Sequence, residues 1–521
     1  MQVDLAKGEP GMFPAEYRKK VSRGWRRLAC AVLVLFSPLW LTSPANAQAP
    51  ENEPSISSAQ AKPIRIGSLI LDAELLGRGQ GGSWFVGDSR ARYGFGNSLF
   101  RVGLSQQKNK FGWRIELAQP AFYGLPDDAL VPGTAIPLGL GGAYFSANGN
   151  RENVAGIFVK QAFLSIRGID NNHSTLRLGR FEFSDGEERA PSAPDLAWLT
   201  GQRVAHRLIG DAYWTDIGRS FDGVDFSSDI GADTNLTFMT GRATRGVWQT
   251  DGMGEMDVDI IYSAFTREFP TPHTDSQLRI FAFGYHDGRK VLKVDSRALA
   301  AREADTRNIR IGTFGVNYAI VTPIWRLGKW DLLVWGAQQI GQWGRLSHRA
   351  NSGTVEMGWR PPIPWIHPWL RAGALFASGD GNQNDSTHAT FFQPLPTEQQ
   401  YARLPFYTLQ NSEDYTGQVI VRPTAKWQLR SEVHKVKLHS ANDLWYLGTG
   451  AFQNTSFGYD ALPDNGHRGL GNYVDFSVDY QVTSKLGLRY YIGVLSGKGA
   501  ETKLPHGRKG GFTYLEVAYR F

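Results

Sequence analysis

The sequence predicts an all-β protein: a transmembrane antiparallel β-barrel of about 18 strands with long external loops, with 16 strands as the alternative. Three observations favour this fold. From Ile64 onward, stretches of about ten residues alternate between apolar and polar character and end at Gly, Asn, Asp or Pro. The composition is rich in glycine and aromatic residues, and the last such stretch ends on Phe521.

The composition excludes several other classes. The 521 residues include 59 Gly and are 12% aromatic but only 41% hydrophobic. A helical membrane protein needs repeated apolar runs of about 20 residues, and a disordered chain has few aromatic side chains. The 56 Lys and Arg residues are spread along the chain among 49 Asp and Glu residues, so we expect no nucleic-acid partner.

The first 47 residues have the order of a secretory signal peptide. Basic residues at positions 18–27 precede the apolar segment Leu28–Leu41, and Ala45-Asn46-Ala47 fits a small-x-small cleavage site. The alternative, a transmembrane anchor, needs about 20 apolar residues, whereas Pro38 interrupts this shorter run. The single cysteine, Cys30, lies in this segment, so the mature chain has no thiol for a disulfide or a zinc site. We expect no cofactor.

The rest of the chain divides into two parts. Residues 48–63 are rich in Pro, Ala and Ser and are predicted to be a flexible periplasmic leader, and residues 64–521 form the predicted outer-membrane barrel. The candidate strands lie at 65–76, 98–104, 111–118, 157–168, 174–181, 222–228, 235–242, 257–263, 278–286, 309–319, 330–340, 353–360, 368–376, 415–421, 427–437, 473–480, 485–495 and 512–521.

Long breaks in the pattern fall at 119–156, 182–221, 377–414 and 438–472, each after an odd-numbered strand. Because these barrels have short periplasmic turns and long external loops, this parity is consistent with a periplasmic N-terminus. A barrel of this size encloses an aqueous channel, so the periodicity predicts a wide pore. One of the long loops could fold back into the lumen as a constriction.

The last strand shows the alternation most clearly. Leu515, Val517 and Tyr519 alternate with Glu516 and Arg520, so one face suits lipid and the other carries charge. An exposed aromatic edge strand of this kind is an aggregation hazard in a soluble β-sandwich, which is the alternative fold. A terminal aromatic strand that ends in Phe resembles the signal that the barrel-assembly machinery recognises. We therefore expect outer-membrane lipid, lipopolysaccharide and that machinery as partners.

Charged residues on the alternating strands are assigned to the lumen, because a charge that faces the bilayer midplane costs about 2–4 kcal/mol. The arginines assigned in this way are Arg101, Arg114, Arg167, Arg177, Arg371, Arg422, Arg430, Arg489 and Arg520. The acidic residues are Glu116, Asp225, Asp257, Asp259, Glu356, Glu432, Asp475, Asp479 and Glu516. Rings of arginine favour anions, and guanidinium groups bind carboxylates through two parallel hydrogen bonds. The alternative is that most of these side chains are paired structural residues of the lumen.

Three groups of residues resemble the alginate-export family of outer-membrane porins. The first group is Ser378-Gly379-Asp380-Gly381-Asn382 with Asp385, followed by Thr390-Phe391-Phe392-Gln393-Pro394-Leu395. The second is Thr175-Leu176-Arg177-Leu178-Gly179-Arg180 with Asp185-Gly186-Glu187, and the third is Glu432 and His434 with Ala441-Asn442-Asp443-Leu444-Trp445-Tyr446.

The resemblance spans about residues 64–521. It implies an eighteen-stranded monomeric barrel that exports a polyuronate passively through an arginine-rich constriction, with loops that gate its ends. Of the family's selectivity residues, only Arg177 lies in a matching strand. Another acidic exopolysaccharide or small anions are alternative cargoes.

The first of these groups also contains a weak calcium candidate. Oxygen ligands alternate at Asp380, Asn382, Asn384 and Asp385, but the sequence lacks the distant bidentate Glu of an EF-hand, and a plain polar turn is the simpler reading.

Other function classes fit less well. The sequence contains neither a Gly-x-Ser-x-Gly nor a His-Glu-x-x-His motif, either of which would indicate an outer-membrane enzyme. Alternation places Ser431 and His434 on opposite faces of their strand, so they cannot form a catalytic dyad. A TonB-dependent receptor needs a plug domain of over a hundred residues before its first strand, whereas the predicted leader before this barrel is only residues 48–63. A barrel with a purely structural role is a further alternative.

Overall fold

The computed structural model describes residues 63–84, 91–130, 136–169, 173–397, 403, 406–463, 466–497 and 509–521. The predicted signal peptide and nearly all of the predicted leader lie outside these residues. Eighteen antiparallel strands, which we name β1 to β18 in chain order, form the barrel. They span Leu69–Ser83, Arg92–Lys108, Phe111–Tyr123, Phe158–Arg167, Ser174–Phe181, Phe221–Ile230, Thr234–Thr244, Glu255–Glu268, Asp275–Asp287, Ile309–Pro323, Lys329–Trp343, Leu346–Arg360, Trp369–Ala377, Ser412–Thr424, Trp427–Leu438, Gly469–Gln481, Leu486–Gly497 and Lys509–Arg520.

Each strand pairs with its neighbours in sequence, and the barrel closes between β1 and β18. Glu74 of β1 lies opposite Arg520 of β18, and this antiparallel register continues to the pair Ser83 and Gly511. Closure leaves the sheet without a free edge, as a membrane requires. The prediction of an eighteen-strand antiparallel barrel is confirmed, and each predicted strand corresponds to one observed strand.

The outer wall carries the apolar half of the alternation. In β18, Leu515, Val517 and Tyr519 are about two-fifths exposed, whereas Glu516 and Ala518 between them are buried. The same pattern recurs on most strands, because successive side chains of a strand point to opposite faces. The outer face therefore suits contact with lipid, as predicted for this strand.

The connections differ sharply between the two ends of the barrel. The connections from an even-numbered strand to the next odd-numbered strand are two to eight residues long. We call the end of the barrel at which they lie the short-turn end. The connections 124–157, 182–220, 378–411 and 439–468 all lie at the opposite, long-loop end, in agreement with the predicted parity. Residues 288–308, after β9, form a further long connection that the sequence pattern did not reveal.

The strand Ile64–Ile66 pairs with the start of β1, the 3₁₀ helix Trp325–Leu327 lies in a short turn, and the long connections contain the other described elements. Among the described residues, three α-helices, α1 to α3, span Gly139–Ala147, Pro194–Arg203 and Leu299–Glu303. A two-stranded hairpin joins Leu444–Gly448 to Tyr459–Pro463, and Thr387–His388 adds in parallel to β12. None of the described helices is long and apolar enough to cross a membrane.

Buried apolar residues form two clusters inside the barrel rather than one central core. One contains Trp198, Leu208 and Ile209 of the 182–220 connection, packed on inward side chains such as Tyr262 and Trp335. The other joins residues of the 124–157 connection to strands next to the closure. The barrel interior is therefore partly filled by its own loops, and the predicted wide pore is wrong to that extent.

The alternation misassigned β8. Asp257 and Asp259 were predicted to face the lumen, opposite Val258, Ile260 and Tyr262. In the structure Val258, Ile260 and Tyr262 are almost completely buried, and the two carboxylates are about half exposed near the long-loop end. Apolar side chains can face inward here because they pack against the 182–220 connection rather than against water.

Candidate functional site

Residues 182–220, which we call the inner segment, cross the lumen. Arg78 of β1 donates to the Trp214 carbonyl oxygen at 2.9 Å, and Arg279 of β9 donates to Glu188 at 3.0 Å. A connection that contacts strands so far apart around the wall must lie inside the barrel. The sequence analysis had named inward folding of one long loop as an option.

Helix α2 places the inner segment close to the short-turn end. Pro194 occupies the first turn, where its missing N–H costs nothing. Asp195 then forms ion pairs with Lys329 at the start of β11, at 2.9 Å, and with Arg360 at the end of β12. On the buried side of the helix, Trp198 packs on Trp369 of β13, with ring centroids 4.2 Å apart. The helix therefore reaches the opposite end of the barrel from the loop that carries it.

The end of α2 is attached to the wall by a buried ionic cluster. The Nε and Nη2 groups of Arg203 donate to the two carboxylate oxygens of Glu356 on β12, at 2.8 and 3.0 Å. Arg371 of β13 donates to the same carboxylate at 3.0 Å and to Asp331 of β11. Planar two-bond pairing of this kind fixes orientation as well as position.

Two other long connections pack on the inner segment. The Gln393 side chain donates to the Arg207 carbonyl oxygen at 2.8 Å, and Leu395 pairs in parallel with Ile209. Arg219 donates to the Thr449 carbonyl oxygen at 2.9 Å. Segments from 182–220, 378–411 and 439–468 thus form one interlocked body within the barrel.

A tight turn at the start of the inner segment is held by Asp185. Its carboxylate accepts the backbone N–H groups of Leu208 and Ile209 at 3.0 and 2.9 Å. Gly186 follows with φ +89°, and a Cβ atom there would lie 2.8 Å from the Ala205 Cα. Burial raises the pKa of Asp185 above its usual range.

The loop portions of the three groups of residues that carry the family resemblance meet in this interlocked body, and their strand portions lie in the barrel wall. The Asp443 carboxylate accepts hydrogen bonds from the Thr390 hydroxyl and from the Asp380 backbone N–H, at 2.8 Å for the latter. Asp185 supports Ile209, which pairs with Leu395. Residues far apart in sequence are therefore parts of one structure.

The predicted lumen residues of β2 and β3 form a compact network. Arg101 donates through Nε to Glu116 at 2.7 Å and through Nη2 to Glu182 of the inner segment at 3.0 Å. Arg114 pairs with Glu116 and with Asp72 of β1, at 2.8 Å for Asp72. One buried carboxylate, Glu116, therefore joins two of the predicted arginines.

Further predicted arginines pair with carboxylates on the same or the adjacent strand, and all of these carboxylates except Glu74 were predicted. Arg177 donates to Asp225 at 2.8 Å, and its guanidinium lies over the rings of Phe163 and Phe181. The remaining pairs are Arg430 with Glu432, Arg489 with Asp479 and Arg520 with Glu74.

Glu516 pairs with Arg78, which was not predicted, at 2.5 Å, and three further predicted residues also lie apart from these pairs. Arg167 is exposed at the last position of β4, and Arg422 donates to Gln428 at 2.8 Å near the short-turn end of β14. Asp475 accepts hydrogen bonds from the Tyr473 hydroxyl at 2.6 Å and from the Glu432 backbone N–H.

The exposure within several pairs is unequal. The side chains of Arg101, Arg177 and Arg489 are 20%, 27% and 15% exposed, whereas their partners Glu116, Asp225 and Asp479 are 4–8% exposed. In these three pairs the cation is the more exposed member, whereas in the Arg114–Asp72 and Arg520–Glu74 pairs the carboxylate is the more exposed one.

A cavity of about 420 Å³ lies beside Arg177. It is lined by residues of the wall and of the inner segment: Thr175, Arg177, Glu182, Phe183, Ser184, Glu187, Glu188, Asp211, Asp225, Ser227 and Thr237. Its carboxylates have cationic partners, among them His206, whose Nε2 lies 3.2 Å from Glu187. Burial disfavours the charged imidazole, but Glu187 and Asp211 outweigh it and raise the pKa of His206 well above its usual value.

Sequence alternation missed the cations that hold the inner segment. Arg203 and Arg219 belong to a loop and have no strand periodicity, and Arg78 lies among glycines that show no alternation. One signal was available: the run Leu196-Ala197-Trp198-Leu199 is unusually apolar for a loop expected in water.

The calcium candidate forms a series of turns stabilised by side chains. Asp380 and Asn382 accept the backbone N–H two residues ahead, at 3.0 and 3.2 Å, and Asp385 accepts that of Thr387 at 2.7 Å. Among the described residues, no group of three or more His, Cys, Asp or Glu side chains could hold a metal ion.

The family model for alginate export matches residues 145–497. The chain belongs to the alginate-export family. The match covers β4 to β17 and includes all three of the interlocked connections. The predicted resemblance is thereby confirmed, over a shorter span than residues 64–521.

Solved structures with the same fold are outer-membrane barrels of low sequence identity. OccAB2 of Acinetobacter baumannii has a TM-score of 0.54 and 10% identity, and OccK9 (OpdG) of Pseudomonas aeruginosa has 0.52 and 12%. Each alignment covers 87% of this chain and 98% of the other. A comparison with curated proteins found no match. Family and fold are those of channels in the outer membrane, which is where this alginate-export barrel is located.

Proposed function

We propose that this alginate-export barrel is a passive channel for an anionic polysaccharide of the polyuronate type. The observation that carries the proposal is the unequal exposure within the lumen ion pairs. Because Arg101, Arg177 and Arg489 are more exposed than Glu116, Asp225 and Asp479, a solute that reaches these three pairs meets the cation before its carboxylate partner. Arginine forks suit carboxylates, which a polyuronate presents on every sugar.

The partner carboxylates have a role in this proposal. Each holds its guanidinium in place, as Asp225 does for Arg177 through the Nε group. An arginine bound through one edge keeps its other N–H groups for transient contacts. Conduction requires binding that is weak enough for release, and a neighbouring carboxylate competes with the solute for the cation.

A second candidate, a channel for small anions, is favoured by the interlocked body inside the barrel. Arg203 and Asp195 attach the inner segment to the wall, so a polymer passes only beside it or after it moves. Both candidates predict anion preference, and they differ in the size of the solute.

The two candidates are separated in a planar bilayer that contains the purified protein. We add a polyuronate, a monomeric uronate or a neutral glucan of matched length to one side and record the current. Block by the polyuronate but not by the glucan supports polymer export. Block by the monomer alone supports the small-anion channel, and equal responses to all three contradict the proposed selectivity.

A further inference from the structure

A cluster of cations lies on the outer wall of the barrel at the long-loop end. We define the rim patch as Glu413, Tyr415, Lys435, Lys437, His439 and Arg468, from β14, β15 and the connection between β15 and β16. Its strand residues face outward, because they alternate with the buried residues Asp414, His434 and Val436.

The patch is built around a single covered carboxylate. Lys437 Nζ and Arg468 Nη2 each lie 2.6 Å from Glu413, and His439 Nδ1 lies 3.2 Å away. Glu413 is 11% exposed, whereas Lys437, His439 and Arg468 are 31%, 41% and 45% exposed. The anion thus organises the cations and is hidden beneath them.

A further cation extends the patch toward the membrane. Lys435 is exposed and lies opposite Tyr415 across the β14–β15 pair, and the neighbouring pair on the same face joins Lys437 to Glu413. The Lys437 ammonium lies 5.2 Å from the Tyr415 ring centroid. Three permanent cations therefore surround one carboxylate among the described residues of the patch.

The position of the patch relates it to the lipid surface. Val433, the next outward residue of β15 below Lys435, is half exposed, and so is its neighbour Val474 on β16. Successive residues that face outward from the same strand are about 7 Å apart. The cations thus begin directly above the apolar band, at the depth of the outer-leaflet headgroups, where exposed tyrosines such as Tyr415 also lie.

Charge is not uniform around this rim. On β7 and β8, the outward residues near the long-loop end are Arg242, Asp257 and Asp259, in which carboxylates outnumber the cation. Arg310 and Arg349, on β10 and β12, are also exposed at this rim, and the rim patch differs from them in that Glu413 holds its cations together.

We infer that the rim patch binds the phosphate groups of the phosphorylated glycolipid of the outer leaflet, lipopolysaccharide. Lys435, Lys437 and Arg468 supply donors at the correct depth, and charge-assisted hydrogen bonds to phosphate are the strong ones. A lumen cargo does not reach these side chains, because they face away from the lumen. The inference is therefore independent of what the channel transports.

The test uses the full barrel, purified in detergent free of lipopolysaccharide, and titrated with a rough-type bisphosphorylated lipopolysaccharide in native mass spectrometry. We expect Lys435→Gln/Lys437→Gln/Arg468→Gln to lower the affinity about tenfold or more. The matched control removes three cations from the short turns instead, as Lys110→Gln/Lys426→Gln/Lys485→Gln, and is expected to bind like the unmodified protein.

Dephosphorylated lipopolysaccharide and phosphatidylglycerol vesicles identify the group that is recognised. Weaker binding of both supports the inference, whereas binding of either as tightly as the bisphosphorylated form overturns it. Unchanged affinity of the triple variant also overturns it. Single-channel conductance shows whether each variant is folded. If the triple variant does not fold, Lys435→Gln alone serves, because this exposed side chain makes no ion pair with the described residues.

Discussion

Arg203, at the end of helix α2 in the inner segment, forms a two-bond fork with Glu356 on the barrel wall, at 2.8 and 3.0 Å, across 153 positions of sequence. Both side chains are buried. The fork attaches a loop that starts at one end of the barrel to a strand near the other end. The cross-section that a solute meets therefore depends on whether this attachment holds.

Breaking the fork is expected to release the inner segment. Leaving a buried charge uncompensated costs about 3–5 kcal/mol, and losing Arg203 costs less than that because Arg371 still donates to Glu356 at 3.0 Å. Arg203→Gln should increase single-channel conductance and add open-state noise, measured in planar bilayers. Arg242→Gln, which removes a half-exposed outward arginine, is the control and should conduct like the unmodified protein. Identical traces for both variants would show that the fork does not restrict the lumen.

Neutralising the lumen-facing arginines is expected to weaken anion preference. In Arg177→Gln/Arg489→Gln, Asp225 and Asp479 lose their cations, so each formally neutral pair becomes a negative charge. The reversal potential in a KCl gradient should shift toward the cation side by several millivolts or more. Arg242→Gln is again the matched control because it faces the outer surface. A selectivity that stays constant in the double variant would assign anion preference to other residues.

Asp443 gives the interlocked connections a dependence on pH. Burial raises the pKa of Asp443 to about 6, although it accepts hydrogen bonds from Tyr446 at 2.7 Å and from Asp380. Because this pKa lies above the ordinary value of 3.8, the folded state holds the proton more tightly than the unfolded state does. Its contribution is present below about pH 4 and is lost as the pH rises through 6.

The Asp443 effect is measured as the difference in melting temperature between the unmodified protein and Asp443→Asn from pH 4 to 7. The unmodified protein should lose stability relative to the variant as the pH rises. A difference that is independent of pH, or that changes in the opposite direction, would contradict the assignment.

Calcium removal is expected to leave the 380–385 turn intact. The side-chain oxygens of Asp380, Asn382 and Asp385 already accept backbone N–H groups, and Asp385 is exposed. In lipopolysaccharide-free detergent, EGTA should not change the melting temperature. A melting temperature that falls on chelation and recovers when Ca²⁺ is added would support the calcium site that the sequence predicted as a weak candidate.

The strand pattern was readable from the sequence because lipid and lumen impose opposite polarity on adjacent residues. The contrast in polarity between adjacent residues was strong at Ile115, Glu116 and Leu117 and weak in the glycine-rich start of β2. For this reason the predicted strand 98–104 is shorter than the observed strand Arg92–Lys108. On β8 the rule inverted, because Tyr262 packs against the inner segment.

The interior could not be predicted in the same way. Arg203 reaches Glu356, and Gln393 reaches Arg207, through contacts that no local period encodes. Arginines on strands were found because alternation marks them, whereas those in loops were not. The sequence therefore predicted the wall and the side of each long loop, but not which loops occupy the lumen.

The reversal potential of the unmodified channel in a tenfold KCl gradient tests the proposed anion preference most directly. The greater exposure of Arg101, Arg177 and Arg489 than of Glu116, Asp225 and Asp479 predicts a potential on the anion-selective side, and a polyuronate on one side should then reduce the current. A cation-selective potential, with a current that polyuronate leaves unchanged, would contradict the account.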